Sequence, residues 1–472
     1  MLRDLFDAYQ AALLLYFVIL NLFYAVSAFI GFWWVARYTR ELPVLALKDS
    51  LRGDAFLPVS LLMPAHNEGI GIVASVAATL RLRFPEFEVI VVNDGSSDDT
   101  LAALHAAFSL IEIDPLVRKR IDTRAVRAVY ASTIHPNLKV IDKVNGGKAD
   151  ALNAGLNLAR YPIFCAVDAD SLLEQDTMLR VNRLFMDDER VLAVGGTVRP
   201  VNGAEVRDGE VQTLRLPAGF LERMQIIEYA RAFFMGRAGW NAIDGLLIIS
   251  GAFGLFRRQA VIDVGGYRPD TVGEDMELVV RLHRAARDAG RDYRVYYVPD
   301  PICYTEVPSD WRSLRKQRNR WQRGLLETLW FHRGMVARPR YGRLGFLALP
   351  YFWLFEAASP VVEFSGYLLL PVAYACHLLD PGFALLFLAL ALGYGVLLSQ
   401  LAVGIETLFL KRYPRLGDRF VLLLYAVVEA LGYRQRLTFE RLKATLTVRR
   451  LRGTWGEMAR TGPALSRDDR HG

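Results

Sequence analysis

The sequence is poor in the residues that build staples and metal cages. Its three cysteines, Cys165, Cys303 and Cys376, stand far apart among 472 residues. That spacing excludes a disulfide framework and a C-x-x-C metal site, and it fits a reducing, cytosolic setting for the soluble part. The seven histidines show no ligand spacing, which argues against a zinc hydrolase. No G-x-G-x-x-G follows the first expected strand, so a dinucleotide-binding dehydrogenase is set aside. There is no internal repeat and no low-complexity tract. The formal net charge is +7, yet no basic patch with nucleic-acid motifs is present. The arginines cluster beside apolar segments instead, as expected at the cytoplasmic face of a membrane.

What the chain does have is apolar residues, 53% of the total, unevenly placed. Residues 11–35, "AALLLYFVILNLFYAVSAFIGFWWV", carry no charge and are long enough to cross a hydrocarbon core of about 30 Å as a helix. Trp33 and Trp34 close that run like an interfacial belt, and Arg37 and Arg40 follow. The run is too long for a signal peptide and lacks its basic leader. We read it as an anchor with its amino terminus outside and the following residues inside. Residues 345–371 and 381–410 are two more apolar stretches, interrupted by Glu356 and Glu363 in the first and Glu406 in the second. The acids Glu356 and Glu363 either line a polar path or sit at an interface. Residues 420–432, flanked by basic residues, have the length of an interfacial or re-entrant segment.

Between these membrane stretches, residues 57–300 alternate short branched-apolar runs with helical spacings. "VSLLMP" (59–64), "EVIVVN" (88–93), "LKVID" (138–142) and "IFCAVD" (163–168) read as buried strands, and residues 71–82 and 149–159 as helices. The pattern predicts an α/β layer fold with a mostly parallel sheet. Such sheets bind ligands at the carboxyl ends of their strands. There the sequence places His66, Asn67 and Glu68, then Asp94 and "GSSDDT", then Asp168 and Asp170, and later Glu274 and Asp275. Taken singly, "DGSSDDT" also makes a turn and helix cap, and "GED" also makes a helix start with acids matched to the dipole. The pair in "FCAVDADS" (164–171) asks for more, because capping does not need two acids after an apolar strand. Two carboxylates this close repel unless a cation is near. Their hard oxygens suit Mg²⁺ or Mn²⁺, which would bridge the protein to a diphosphate and neutralise a departing nucleoside diphosphate. In "KQRNRWQRG" (316–324), helical spacing puts Gln317, Arg320 and Trp321 on one face. That face is either a plain basic amphipathic surface or a carbohydrate and phosphate surface, with Arg for phosphate and Trp for a sugar ring.

Together these residues resemble the membrane-bound family 2 glycosyltransferases, which include cellulose, chitin, hyaluronan and poly-N-acetylglucosamine synthases. The landmarks occur in order over roughly residues 58–330: "VNDGS" (92–96), "GGKADALN" (146–153), "DAD" (168–170), "SGAFGLFRR" (250–258), "GED" (273–275) and "QRNRW" (317–321). The resemblance implies a GT-A fold and an inverting transfer from a UDP-sugar at the inner (cytoplasmic) membrane. By match, Asp94 would contact the uracil, and Glu68 and Lys148 would lie near the nucleotide. Asp168 and Asp170 would hold the metal diphosphate, and Arg320 would help bind the diphosphate. Asp275 would be the general base, with Glu274 beside it on the acceptor side. Gln317 and Trp321 would hold the acceptor. "WGEMAR" (455–460) resembles a gating segment, with Trp455 and Arg460 as the matching residues; a basic tail resting on lipid fits the same residues. "QIIEYARAFF" (225–234) resembles the acceptor-side helix.

The expected organisation is an anchor over 1–40, a cytosolic GT-A domain over 41–340, transmembrane and interfacial helices over 341–435, and a basic tail over 436–472. The implied partners are a UDP-sugar, a glycan or lipid acceptor, the bilayer and export proteins, with no nucleic acid. The chain departs from the best-known synthases in having one amino-terminal membrane helix rather than two, and two clear spans after the catalytic stretch. A polymer channel needs enough helices to enclose polar sugars. A non-processive transferase acting on a membrane lipid therefore stays open. So does an inactive nucleotide-sugar-binding protein, against which Asp275, Asp168 and Asp170 count. Residues 104–135 are longer than the fold needs.

Overall fold

The computed structural model describes residues 2–52, 56–115, 119–207, 209–410, 413 and 415–448. The chain divides into two compact units. One is built mainly from Arg40–Ala218 and Leu246–Val307, the other from Met1–Thr39, Gly219–Gly245 and Pro308–Arg452.

The first unit is an α/β layer structure. Its strands are β1 (Val59–Ala65), β2 (Phe87–Asp94), β3 (Leu110–Ile113), β4 (Val126–Ser132), β5 (Leu138–Lys143), β6 (Ile163–Val167), β7 (Ser171–Leu173), β8 (Val191–Pro200), β9 (Glu205–Arg207), β10 (Glu210–Thr213), β11 (Phe253–Arg257) and β12 (Arg294–Thr305). Ten of them form one sheet in the order β3-β4-β5-β2-β1-β6-β11-β8-β12-β7; β9 and β10 pair separately. The four central strands β5, β2, β1 and β6 are parallel. They are the runs the sequence marked, and their Val, Ile and Leu side chains are buried almost throughout. Helices cover both faces of such a core, so no polar alternation is needed. The helix Lys148–Leu158 lies close to this core because Gly155 has no side chain; a Cβ there would sit 3.1 Å from Leu62 Cδ2.

Outside the parallel core the pairings are mixed. On one side β11 runs antiparallel to both β6 and β8. On the other, β4 is antiparallel to β5 and carries β3 at the edge. The extra length of residues 104–135 is thus spent on widening the sheet.

The second unit is helical. Among the described residues, three helices are long and apolar enough to cross a membrane: Arg3–Leu42, Leu344–Ala375 and Pro381–Leu410. These agree with the three apolar stretches of the sequence. The first belongs to a helix that runs over Leu2–Arg52. It packs closely through small residues, since a Cβ on Gly31 would run into Phe234 O and one on Gly239 into Ser27 Oγ. Ser27 Oγ donates to Met235 O at 2.7 Å. Close approach at small residues is how helices associate where no hydrophobic force separates protein from lipid. The segment expected to be interfacial forms the helix Leu416–Val428 followed by a turn broken at Leu431 and Gly432, after which Arg434–Thr447 is helical again.

Candidate active site

Parallel pairing brings the carboxyl ends of β2 and β5 side by side, with Asp94 opposite Lys143. Lys143 is fully buried, and its Nζ lies 2.6 Å from Asp94 Oδ1 and 2.6 Å from Asp150 Oδ1. Asp94 also accepts hydrogen bonds from the backbone N–H groups of Gly146 (2.9 Å) and Gly147 (2.7 Å). One aspartate therefore shapes the turn that leads into the helix starting at Lys148. The turn needs glycine: Gly147 has φ +85°, and Gly95, which follows Asp94, has φ +62°. A Cβ on Gly95 would come 2.7 Å from Asn145 N. Asn145 Nδ2 donates to Asp94 O at 2.9 Å, and His66 Nδ1 lies 2.9 Å from the same oxygen.

The loop "GSSDDT" serves the neighbouring turn after β1. Asp98 accepts from Gly69 N at 2.9 Å and Thr100 N at 3.0 Å, and Ser97 N donates to Asn67 Oδ1 at 2.8 Å. Burial opposes the charge on Asp98, but the hydrogen bonds from Thr100 and Gly69 outweigh it and hold the carboxyl below its ordinary value. Glu68 is half-buried in this turn. Its N–H donates to Thr100 Oγ1 at 2.8 Å and its carbonyl accepts from Ile72 N at 2.9 Å.

The second group of acids lies around Lys148, the first residue of its helix. The Lys148 ammonium contacts the Asp168 carboxylate directly, lies 3.8 Å from Glu274 Oε1 and donates to Gly251 O at 3.1 Å. Burial alone would push the ammonium down, but Asp168 and Glu274 hold it above the usual lysine value. Asp275 is the second residue of the helix Glu274–Asp288. Its Oδ2 accepts from Gly251 N at 2.9 Å and its Oδ1 from Met276 N at 2.7 Å. Gly251 is what lets these groups meet: a Cβ there would sit 3.1 Å from Lys148 Nζ and 3.2 Å from Asp275 Oδ2. Asp168 and Asp170 lie on the turn after β6, closed by Ser171 N donating to Asp168 O at 3.0 Å. The structure thus gathers Lys148, Asp168, Glu274 and Asp275, with Asp170 two residues along the same turn.

Among the described residues, no group of three or more His, Cys, Asp or Glu could hold a metal ion. What the turn after β6 offers is a carboxylate pair on a half-exposed edge, Asp168 being 27% exposed, next to a cation. That donor set fits Mg²⁺ or Mn²⁺, which take one or two protein carboxylates and complete their shell with phosphate oxygens.

Gln317, Arg320 and Trp321 lie on the helix Trp311–Phe331 of the helical unit. Gln317 is buried, Arg320 half-buried and Trp321 46% exposed. Trp455 and Arg460 lie outside the described residues. The helical unit also holds polar groups inside. Arg231 pairs with Glu429 at 2.8 Å, and both bond Ser399. Gln322 bonds Arg441, which reaches the carbonyl of Glu356 at 2.6 Å; Glu363 accepts from Ser359 and Thr438.

Sequence reasoning missed Lys143, Asp150 and Gly251. Lys143 left a signal, since "LKVIDK" ends an apolar strand in a charge, as "EVIVVND" does. Gly251 left none, because its partners come from distant segments.

A family model described as "Glycosyltransferase like family 2" matches residues 58–324. The poly-beta-1,6-N-acetyl-D-glucosamine synthase of Staphylococcus aureus (strain COL) is 29% identical over 315 residues, 65% of this chain and 65% of that protein. The synthase of the same name from Staphylococcus epidermidis is 27% identical over 319 residues, 67% of this chain and 65% of that protein. The match therefore spans just under two thirds of the length of these curated relatives. Among solved structures, a mannosyltransferase from Pyrobaculum calidifontis in complex with GDP-Man and Mn²⁺ has a TM-score of 0.50 at 18% identity, covering 89% of this chain and 99% of that one. That is a likeness of fold, the GT-A type.

Proposed function

The chain belongs to glycosyltransferase family 2, and from that footing we propose that it is an inverting synthase extending a β-linked N-acetylglucosamine polymer from a UDP-sugar at the cytosolic face of the inner membrane. It is a glycosyltransferase; donor, stereochemistry and polymer are the proposal. The observation that carries it is the Lys148 ammonium set between Asp168 and Glu274, one residue from Asp275. A cation on the leaving-group side and a carboxylate with acceptor sites to spare on the acceptor side are what an inverting displacement requires.

Asp275 takes the proton of the acceptor hydroxyl. Two backbone N–H groups fix its carboxylate, and of about four lone-pair sites on a carboxylate these leave room for that proton. The acceptor oxygen attacks the anomeric carbon from the face opposite the diphosphate, and the bond to the phosphate oxygen breaks. Lys148, kept charged by its neighbours, faces the negative charge that develops. Asp168 and Asp170 would hold Mg²⁺ or Mn²⁺, which supplies further neutralisation of the diphosphate. Asp94 has three donors on its carboxylate, so about one acceptor site remains for the N–H of a uracil. Arg320 binds the diphosphate, Gln317 and Trp321 the acceptor, and Glu68 lies at the nucleotide edge. The choice of sugar rests on the name of the staphylococcal relatives. The buried ion pairs of the helical unit support a polar path for the product, because ionisable groups among apolar helices mark such paths.

The test is Asp275→Asn in the full chain. It should lower the rate of UDP release roughly 10²–10⁴-fold, the usual contribution of a general base, while UDP affinity stays within about threefold. Unchanged turnover would remove Asp275 from the role of base.

A further inference from the structure

The segment "QIIEYARAFF" carries Glu228 on the helix Phe220–Arg231, and the acceptor motif "QRNRW" carries Arg318 between its named residues. Arg318 is buried, unlike its neighbour Arg320. Its Nη2 meets Glu228 Oε2 at 2.6 Å, and Glu228 Oε2 also accepts from the Tyr433 hydroxyl at 2.8 Å. Its Nη1 donates to Gln317 Oε1 at 2.9 Å. Its guanidinium carbon lies 4.2 Å from the centre of the Trp321 ring. Arg318 thus touches both acceptor residues at once, three positions before Trp321 on the same helix side.

We propose that Arg318, clamped by Glu228 and Tyr433, is a positioning residue that sets the acceptor surface of Gln317 and Trp321. This rests on the reading of those two residues as acceptor-binding. The physical case has two parts. An exposed Trp on a helix samples several rotamers, and a planar guanidinium stacked on one face selects one and leaves the other face for a sugar ring. A Gln whose carbonyl oxygen is taken by an arginine has its NH₂ group left to donate, so a ligand meeting it must offer an acceptor oxygen. Arg318 can hold this pose only if its own position is fixed, and that is the work of the Glu228 carboxylate with its second donor from Tyr433. Burial opposes the arginine charge, yet Glu228 and Tyr433 keep the guanidinium above its ordinary value, so it stays charged while it stacks. The geometry assigns the segment around Glu228 a role in acceptor placement.

The experiment uses the full-length protein in detergent with UDP-N-acetylglucosamine and a short β-1,6-linked N-acetylglucosamine oligosaccharide. Acceptor KM, kcat and the affinity for UDP are measured for Glu228→Gln, Arg318→Lys, Tyr433→Phe and the reference variant Trp321→Ala. Glu228→Gln should raise acceptor KM on the order of tenfold, as expected for one charge-assisted hydrogen bond lost, with UDP affinity within about twofold. Arg318→Lys, which keeps the charge but loses the flat stacking face, should fall between Glu228→Gln and Trp321→Ala. If Glu228→Gln fails to fold, Arg318→Lys and Tyr433→Phe decide. The proposal is overturned if these variants leave acceptor KM unchanged while Trp321→Ala raises it. It is also overturned if acceptor KM and UDP affinity worsen together, since that marks a general structural role. An unaffected Trp321→Ala would instead overturn the acceptor reading, and the proposal with it.

Discussion

A lysine with no exposed surface, bonded to two aspartates, is the residue on which the turn into the helix at Lys148 depends. Lys143 holds Asp94 and Asp150 together. Its replacement by Met leaves two buried carboxylates facing each other, which should cost on the order of 3–5 kcal/mol, read as a lower melting temperature with weakened UDP binding. Asp98 adds a pH dependence of its own. Its folded-state carboxyl titrates below the ordinary 3.8, so its stabilising contribution is present above the unfolded value and lost as pH falls through the folded one. Asp98→Asn should therefore melt below the parent at pH 7, and the gap should close in acid below pH 3.8. The positions of these acids were legible in the sequence because they end apolar strands or open helices, while turn and cap roles fitted several of them as well. Their cationic partners were not, since which lysine meets which aspartate is fixed by strand register. On the helix Trp311–Phe331, spacing grouped Gln317, Arg320 and Trp321, whereas it is Arg318 that contacts both Gln317 and Trp321. A 100° step per residue places the first, but the burial of Arg318 follows from Glu228, some ninety positions away.

At the scale of elements, the parallel core was readable because β1, β2, β5 and β6 are continuous branched-apolar runs. The strands added around it were not. The edge strand β3 and its neighbour β4 are partly exposed and mixed in composition, and they account for the length of residues 104–135. Asp150 ties that extension to the site by accepting from Arg124 N at 3.0 Å. Helix packing in the other unit turns on Gly31. Gly31→Val should strain the contact with Phe234 O and destabilise the unit by about 1–3 kcal/mol, the usual cost of overpacking, with melting in detergent as the readout. Equal melting temperatures would show that the helix shifts without penalty.

For the whole molecule, the uneven placement of apolar residues foretold both the α/β unit and the three membrane-length helices. Residues 420–432, read as an interfacial or re-entrant segment, fall in the helix Leu416–Val428 and the turn after it, and Gly432 at φ +97° explains the break there. The donor sugar and the fate of the product were beyond the sequence, because they depend on contacts among distant residues rather than on any run of neighbours. The measurement closest to the central claim is UDP release and product size from the full chain, with UDP-N-acetylglucosamine, UDP-glucose and UDP-glucuronate in turn, with Mg²⁺ or Mn²⁺ and with chelator. We predict release that depends on the metal, occurs with UDP-N-acetylglucosamine, and accompanies a high-molecular-weight glycan. Release that yields only a lipid-sized product, or none with any donor, would contradict the synthase reading.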